Sequence, residues 1–461
     1  MTGYIQFEFD NGSWVRWIVK IALIGGGGFR APLFVDCALR RAEAIGLDEI
    51  ALMDVDADQL SFIAPICESL VARSGKRLKV TAHTEVDLAL SGADFVVTTL
   101  RPGHIEGRIA DENIAMEVGV LGQETTGAGG FAMAMRSIPS ILDYAERMQT
   151  VCPEAWLINF TNPAGLVAQA LRNAGHEKVV GICDSANGAQ TAAARFAGVG
   201  TQEVEAEVFG LNHMSFSRSV LHDGTDILPA MLADEAFLQT TAMSVFERPL
   251  IERRGMWINE YLWYFWAIDE ALAAQARKGG RGSEIKRLND LFLPRLKAAG
   301  SAEVLDIYQA YEDERSGSYM AAARPGKSAP VAPPEGEGYA GVALDVICAL
   351  IGGARVRTGL NVTNGGAMPD MAEDDVVEVS CIVSEGRIEP VPVAPMPKAV
   401  RPLVHTIKAY ERMACDAIAR KDRSLAIDCL TTHPLVLSSG KAADLVDRLL
   451  SAHARFTGTW T

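Results

Sequence analysis

The stretch Ile18-Val19-Lys20-Ile21-Ala22-Leu23-Ile24 runs straight into Gly25-Gly26-Gly27-Gly28-Phe29-Arg30-Ala31-Pro32. An apolar run rich in Ile and Val reads as a strand buried on both faces, and glycines ahead of a proline-started segment read as a tight turn into a helix. Glycines at such a turn let backbone N–H groups approach a pyrophosphate at the helix N-terminus. The next apolar run, Ile50–Asp54, ends on an acid. An acid there can take ribose hydroxyls and favours NAD over NADP, while Arg30 and Arg73 leave NADP open. Cofactor contacts are therefore expected from Gly25, Gly26, Gly27, Gly28, Phe29 and Asp54; the alternative is a tight turn that binds nothing.

Four more short runs follow: Leu78–Ala82, Asp94–Thr99, Trp156–Phe160 and Lys178–Cys183. Helical periodicity lies between them in Ala57–Arg73 and Pro163–Asn173, and a shorter pattern in Thr84–Ser91. Strand and helix in alternation predict an α/β fold with a Rossmann-like, doubly wound parallel sheet over residues 18–200. Residues 1–17 read as an N-terminal extension, without the long apolar core of a secretory signal. Residues 201–461 read as a mixed α+β domain for substrate and oligomerisation. Its periodicity predicts helices over Tyr261–Arg277, Glu284–Ala298, Val342–Leu350 and Pro402–Lys421, a strand over Val376–Val383, and an apolar segment near Phe209–Leu211. Ala323–Gly338, rich in Pro, Gly and Ala, reads as a surface loop.

Composition narrows the function. At 461 residues, 49% apolar and 22% charged, the chain can bury two cores sharing a cleft. No run of about 18 apolar residues is present, so no membrane span is expected. A net charge of −15 argues against nucleic acid but not against a small anionic substrate met by local arginines. Eight cysteines stand singly, as reduced thiols do in the cytoplasm.

Ligands of open parallel sheets bind beyond the carboxyl ends of the strands. That rim gathers Asp54, Arg101, Arg108, Asn159, Asn162, Cys183 and Asp184. Cys183 and, thirty residues on, His213 could supply a thiolate and an imidazole to a divalent metal, or could be a buried apolar thiol and a satisfied polar ring. Tyr261 and Tyr264, in Tyr261-Leu-Trp-Tyr264-Phe-Trp, read by themselves as core or interface aromatics.

Longer motifs carry a family likeness. Gly122-Gln123-Glu124-Thr125-Thr126-Gly127-Ala128-Gly129-Gly130-Phe131 resembles the GQETTGxGGF segment of glycoside hydrolase family four, most closely its 6-phospho-β-glucosidases. Asn159-Phe160-Thr161-Asn162-Pro163-Ala164-Gly165 resembles its NFTNPAG, Gly210-Leu211-Asn212-His213 its GLNH, and His433-Pro434-Leu435-Val436 its HPLV. The likeness implies NAD and Mn²⁺ as cofactors, with Cys183 and His213 as metal ligands. It also implies Arg108, Asn162 and Arg281 as substrate-binding residues, Tyr261 as the catalytic base, and Glu124 near the site. Three segments depart from the family's pattern. GGGSxYTP reads Gly25–Pro32, RVGG reads Arg101-Pro102-Gly103-His104, and CNVP reads Cys183-Asp184-Ser185-Ala186. Members acting on α-linked phosphoglucosides often carry CDMP at the last, which makes Asp184 a candidate proton donor.

The implied reaction differs from the two-carboxylate scheme of most glycosidases. Transient oxidation at carbon 3 of the sugar acidifies carbon 2; deprotonation there expels the aglycone, water adds, and the ring is re-reduced. A 6-phospho-β-glucoside is the expected substrate. A 6-phospho-α-glucoside, or an unphosphorylated sugar, is the alternative. An NAD-dependent 2-hydroxy-acid dehydrogenase and a non-catalytic NAD-binding protein are the rival classes. The aromatic run Trp257–Trp266 and the habit of the family imply a homodimer or homotetramer.

Overall fold

The computed structural model describes residues 18–300, 303–324 and 338–461. The expected extension 1–17 and most of the stretch Ala323–Gly338 lie outside the described residues. Six strands build the first half: β1 (Val19–Ile24), β2 (Leu47–Met53), β3 (Lys79–His83), β4 (Phe95–Thr98), β5 (Trp156–Asn159) and β6 (Val179–Gly181). Between them run α1 (Ala31–Ile45), α2 (Ala57–Ser74), α3 (Val86–Leu90), α4 (His104–Glu117), α5 (Gly127–Val151) and α6 (Ala164–Asn173), with α7 (Gly188–Ala197) after β6. Their order across the sheet is β3-β2-β1-β4-β5-β6, all parallel. This is the doubly wound arrangement that the alternation predicts, and it puts a crevice between β1 and β4.

Local chemistry sets the ends of these elements. Asp56 caps α2, its carboxylate accepting from Gln59 N at 3.0 Å. Gly46, at φ 68°, closes α1 in the left-handed conformation that L side chains disfavour.

The second half adds to this sheet. β7 (Val204–Leu211) and β8 (Met214–His222) form a hairpin, extended by β9 (Thr225–Asp226) and β10 (Trp257–Ile258) into a small antiparallel sheet. β11 (Val356–Thr363), β12 (Val376–Ser384) and β13 (Arg387–Pro390) then join the large sheet, β11 lying antiparallel to β6 through Asn361 and Gly181. The large sheet thus has nine strands, and residues far apart in sequence reach one rim.

Two readings of the second half change. The helix expected over Tyr261–Arg277 is three pieces: a 3₁₀ turn Glu260–Leu262, helix Trp263–Trp266 and helix Ile268–Lys278. The break falls at Ala267, whose φ −127° and ψ 45° are not helical, and Asn259 caps the first turn by accepting from Tyr261 N. The aromatic run is core: Trp257 and Trp263 are buried, and Tyr264, Phe265 and Trp266 pack against the same cluster. It therefore offers no surface on which to argue an oligomer. No helix among the described residues is long and apolar enough to cross a membrane.

Arg136 ties the C-terminal segment to the site. Its guanidinium is fully buried on α5 and grips Asp111 of α4 at 2.9 and 2.6 Å, while His453 Nε2 meets Asp111 Oδ1 at 2.6 Å. This cluster fixes α4, which carries Arg108. Replacing Arg136 by Met leaves a buried carboxylate without its cation, and is expected to cost about 3–5 kcal/mol. The midpoint of chemical denaturation reads it; a loss below about 1 kcal/mol would show that the pair behaves like one at the surface.

Candidate active site

A cleft of about 1640 Å³ opens at the carboxyl ends of the parallel strands. The glycine loop lies beside it, and of this segment Arg30 and Pro32 line the cleft while Gly25–Gly28 and Asp54 do not. Gly25 N and Gly26 N both donate to Met53 O at 2.8 Å, which draws the loop over the end of β2. A Cβ on Gly25 would lie 2.8 Å from Leu100 N, and one on Gly26 2.8 Å from Leu52 Cα. Only glycine fits at these two positions, and the N–H groups of all four glycines are taken up inside the protein, Gly28 N donating to Gly25 O at 3.0 Å. Asp54 Oδ2 accepts from Gly27 N at 3.1 Å, and burial holds this carboxyl above its ordinary range. Arg30 points elsewhere, its guanidinium 4.9 Å from the Tyr339 ring, so the acid at the end of β2 has no cation from the loop beside it.

Across the cleft, Cys183 follows β6 and His213 sits in the two-residue turn between β7 and β8. Cys183 Sγ and His213 Nε2 lie 3.3 Å apart. Two ligands of one divalent ion span such a distance when their bonds are ~2.0–2.3 Å long. Burial lowers the His213 imidazole to about 3, so the ring is neutral as a ligand must be. Burial pushes the Cys183 thiol well up, so an ion bound there displaces a proton. The donor set fits a divalent metal, with further ligands left to substrate oxygens and water.

The turn that carries His213 is held from behind. Asn212 Nδ2 and Asn361 Nδ2 both donate to Glu378 Oε1, at 3.1 and 3.0 Å. Gly165 N donates to Asn212 Oδ1, and a Cβ on Gly165 would meet Asn212 Cβ at 2.8 Å. That contact explains why the NPAG and GLNH motifs belong together. Burial raises the Glu378 carboxyl to about 7.

Tyr261 stacks on the His213 ring, centroids 3.9 Å apart at 16°. Burial raises its phenol, and the neighbouring Tyr319 hydroxyl works against that rise. Tyr264 stands farther along, pushed up to about 12 by burial while Arg108 pulls it down. Asp184, next to Cys183, opens into the cleft and N-caps the short turn Ser185–Asn187. Ser185 Oγ and Tyr319 Oη both donate to Glu260 Oε1, at 2.8 and 3.2 Å.

The expected substrate arginines line the cleft but are already engaged. Arg108 sits between Glu112 and Glu124, at 2.7 and 2.5 Å, and Arg101 also pairs with Glu124. Arg281 binds Glu284, Ser318 Oγ and Arg315 O. Asn162 lines the cleft, and its side-chain amide has no partner among the described residues. Glu124 is thus the anchor of two arginines, a role that the GQET motif does not announce. The glycines of that motif are steric: a Cβ on Gly122 would lie 2.4 Å from Glu112 O, and one on Gly129 2.2 Å from Gln123 O.

The geometry matches known proteins along the chain. Residues 20–199 match the model of family 4 glycosyl hydrolases, and residues 208–436 that of the C-terminal domain of the same family. The chain belongs to glycosyl hydrolase family 4. It is 29% identical over 459 residues to a 6-phospho-β-glucosidase of Escherichia coli, covering 95% of this chain and 96% of that one. It is 25% identical over 454 residues to a maltose-6′-phosphate glucosidase of Bacillus subtilis, covering 95% and 96%. A solved structure of the Thermotoga maritima 6-phospho-β-glucosidase, with manganese, NAD⁺ and glucose 6-phosphate, superposes with a TM-score of 0.81 at 25% identity, over 95% of this chain and 99% of that one.

Sequence reasoning on this family-4 chain missed Glu260, Tyr319, Asn361 and Glu378. Glu260 adjoins Tyr261 and could have been found by its place; the other three reach the site only through the fold. Replacing Cys183 by Ser is expected to weaken Mn²⁺ binding at least ~10–100-fold, the range seen when even outer partners of a metal are lost. A Mn²⁺ titration read by electron paramagnetic resonance, beside an NAD⁺ titration that should not change, measures this. Mn²⁺ affinity within about twofold of the parent would remove Cys183 from the metal site.

Proposed function

We propose that the chain hydrolyses a glucoside 6-phosphate, β-linked by preference, in the cytoplasm, with NAD and Mn²⁺ as resident cofactors. The observation that carries this reading is the stack of Tyr261 on His213, with Cys183 beside the imidazole and Asp184 next in the chain. The names of the relatives support the substrate class, and eight free cysteines are in keeping with a reducing compartment. Gly25, Gly26, Gly27, Gly28, Phe29 and Asp54 would hold NAD; Cys183 and His213 would hold the metal. When bound, NAD⁺ accepts and returns a hydride at carbon 3 of the sugar, and Mn²⁺ polarises the neighbouring oxygens as a Lewis acid.

The protein's own groups do the proton work. Tyr261 removes the proton at carbon 2. Burial opposes its phenolate, and the Tyr319 proton is given to Glu260, so a cation held at Cys183 and His213 is what would favour it. Arg281, which could have filled that role, instead bears on Tyr264. Asp184 gives a proton to the leaving oxygen. Asn162 offers its unpartnered amide to the sugar, and Arg108 and Arg281 present whatever donors Glu112, Glu124 and Glu284 leave free. An α-linked phosphoglucoside is the second reading, favoured by Asp184, which follows Cys183 as in the α-acting members and opens into the cleft. Homo-oligomerisation belongs to the proposal as a family habit.

Replacing Tyr261 by Phe is expected to lower kcat about 10²–10⁴-fold, the usual contribution of a positioned acid or base. It should also stop exchange of the carbon-2 proton with deuterated solvent, read by nuclear magnetic resonance. Exchange at the parent rate would move the base to another residue, Tyr264 first.

A further inference from the structure

The arginines of the cleft are not equal. Arg101, Arg108, Arg281 and Arg315 each have a carboxylate within 4.0 Å: Glu124 for the first two, Glu284 for the third and Glu312 for the fourth. Among the described residues Arg30 has none, and its guanidinium makes no hydrogen bond. Its one close partner is the face of Tyr339, at 4.9 Å. The residue is exposed, and what it is exposed to is the cleft.

Its position is built. Tyr308 Oη donates to Phe29 O at 2.7 Å and Tyr339 Oη donates to Arg30 O at 3.3 Å, so two phenols from different helices pin the backbone that carries it. The ring of Tyr339 is itself fixed edge-on against Phe160 of the NFTN segment, centroids 4.7 Å apart. Loss of water to the surrounding cleft walls works to lower the Arg30 guanidinium, yet Tyr339, Glu312, Asp184 and Tyr261 together hold it above its ordinary value. The charge is therefore permanent, and it stands close enough to Asp184 and Tyr261 to feel them. Arg315 lies nearby, its side chain about six-sevenths buried. Glu312 lies 3.7 Å from Arg315 and its charge also bears on Arg30.

A cation without a carboxylate, pinned on a rigid backbone and facing a cleft in a chain of net charge −15, is poised for an anion that arrives with the ligand. We propose that Arg30, backed by Arg315, is the position that recognises an oxyanion on the sugar substrate. Guanidinium offers paired donors in one plane, which suits a phosphate monoester or a carboxylate. The two share this chemistry: a phosphate on carbon 6, or a uronate carboxylate at the same carbon. The inference rests on the reading of the cleft as a sugar site. It makes Arg30 a residue of specificity, at a place where the loop pattern GGGSxYTP has no cation.

The test is isothermal titration of the protein loaded with NAD⁺ and Mn²⁺. Glucose 6-phosphate, glucuronate and glucose are the probes, for the parent and for Arg30→Gln and Arg30→Lys. The parent is expected to bind one anionic sugar more tightly than glucose. Arg30→Gln should weaken that sugar about 10–100-fold, the worth of one charge-assisted hydrogen-bonding group, and leave glucose and NAD⁺ unchanged. Arg30→Lys keeps a point charge on a similar stem and should recover part of the loss. If the parent prefers glucuronate and Arg30→Gln removes that preference, the position stands and the phosphoglucoside reading falls. If the parent prefers glucose 6-phosphate and Arg30→Gln leaves the preference intact, the inference falls and the phosphoglucoside reading stands. A loss of NAD⁺ affinity with the sugar preference unchanged places Arg30 on the dinucleotide and overturns the inference. So does a parent that binds all three sugars alike.

Discussion

The site depends on a contact between two sheets: Cys183 Sγ against His213 Nε2 at 3.3 Å. One atom comes from the end of a parallel strand, the other from a hairpin turn of the small antiparallel sheet thirty residues on. His213 adopts φ 60°, a left-handed backbone that costs a non-glycine residue about 1–3 kcal/mol unless its surroundings impose it. They do. Glu378 gathers Asn212 and Asn361, Gly165 takes the other end of the Asn212 amide, and Ser380 of β12 bonds both Val208 N and Ala206 O of β7. Through these bonds β12, which began as a strand of the second half, locks the hairpin to the rim of the first sheet.

Electrostatics at this centre are set by burial. The thiol and the phenol of Tyr261 are driven toward their neutral forms by burial, with Asp184, Glu378 and Glu260 adding to the push, and the imidazole by burial alone. A group of neutral donors around a small space has little reactivity by itself. A divalent cation inverts that local balance, favouring thiolate and phenolate together. The arginines follow the opposite logic. Arg101 and Arg108 are caged by Glu112 and Glu124, which makes them rigid as well as partly neutralised. Rigid, pre-paired donors orient a polyhydroxyl ligand without the entropy loss of free side chains.

Much of this was legible before any coordinates. The six parallel strands, the glycine loop and Asp54 follow from local patterns, because buried parallel strands announce themselves as short Val/Ile runs between helices. Cys183, His213 and Tyr261 were nameable through motif likeness, and the fold puts all three in one place. What was not legible is what depends on distant pairing. Glu378 looks like one polar residue in an alternating strand, and only the pairing of β11 with β6 and β12 shows that it lies behind the turn that carries His213. The break at Ala267 was hidden because the flanking apolar period continues across it, while the cap on Asn259 decides the start. Arg30 read as a hint of NADP; its contact with Tyr339 turns it to the cleft instead.

The most direct test of the account follows purified protein with NAD⁺, Mn²⁺ and a reductant on p-nitrophenyl α- and β-glucoside 6-phosphates and their unphosphorylated forms. Nitrophenol and NADH absorbance are recorded together. The account predicts nitrophenol release from a phosphorylated glucoside, dependent on NAD⁺, with no net build-up of NADH, since the hydride returns to the sugar. NADH accumulating in step with substrate consumed, or release that continues at full rate without NAD⁺, would contradict it.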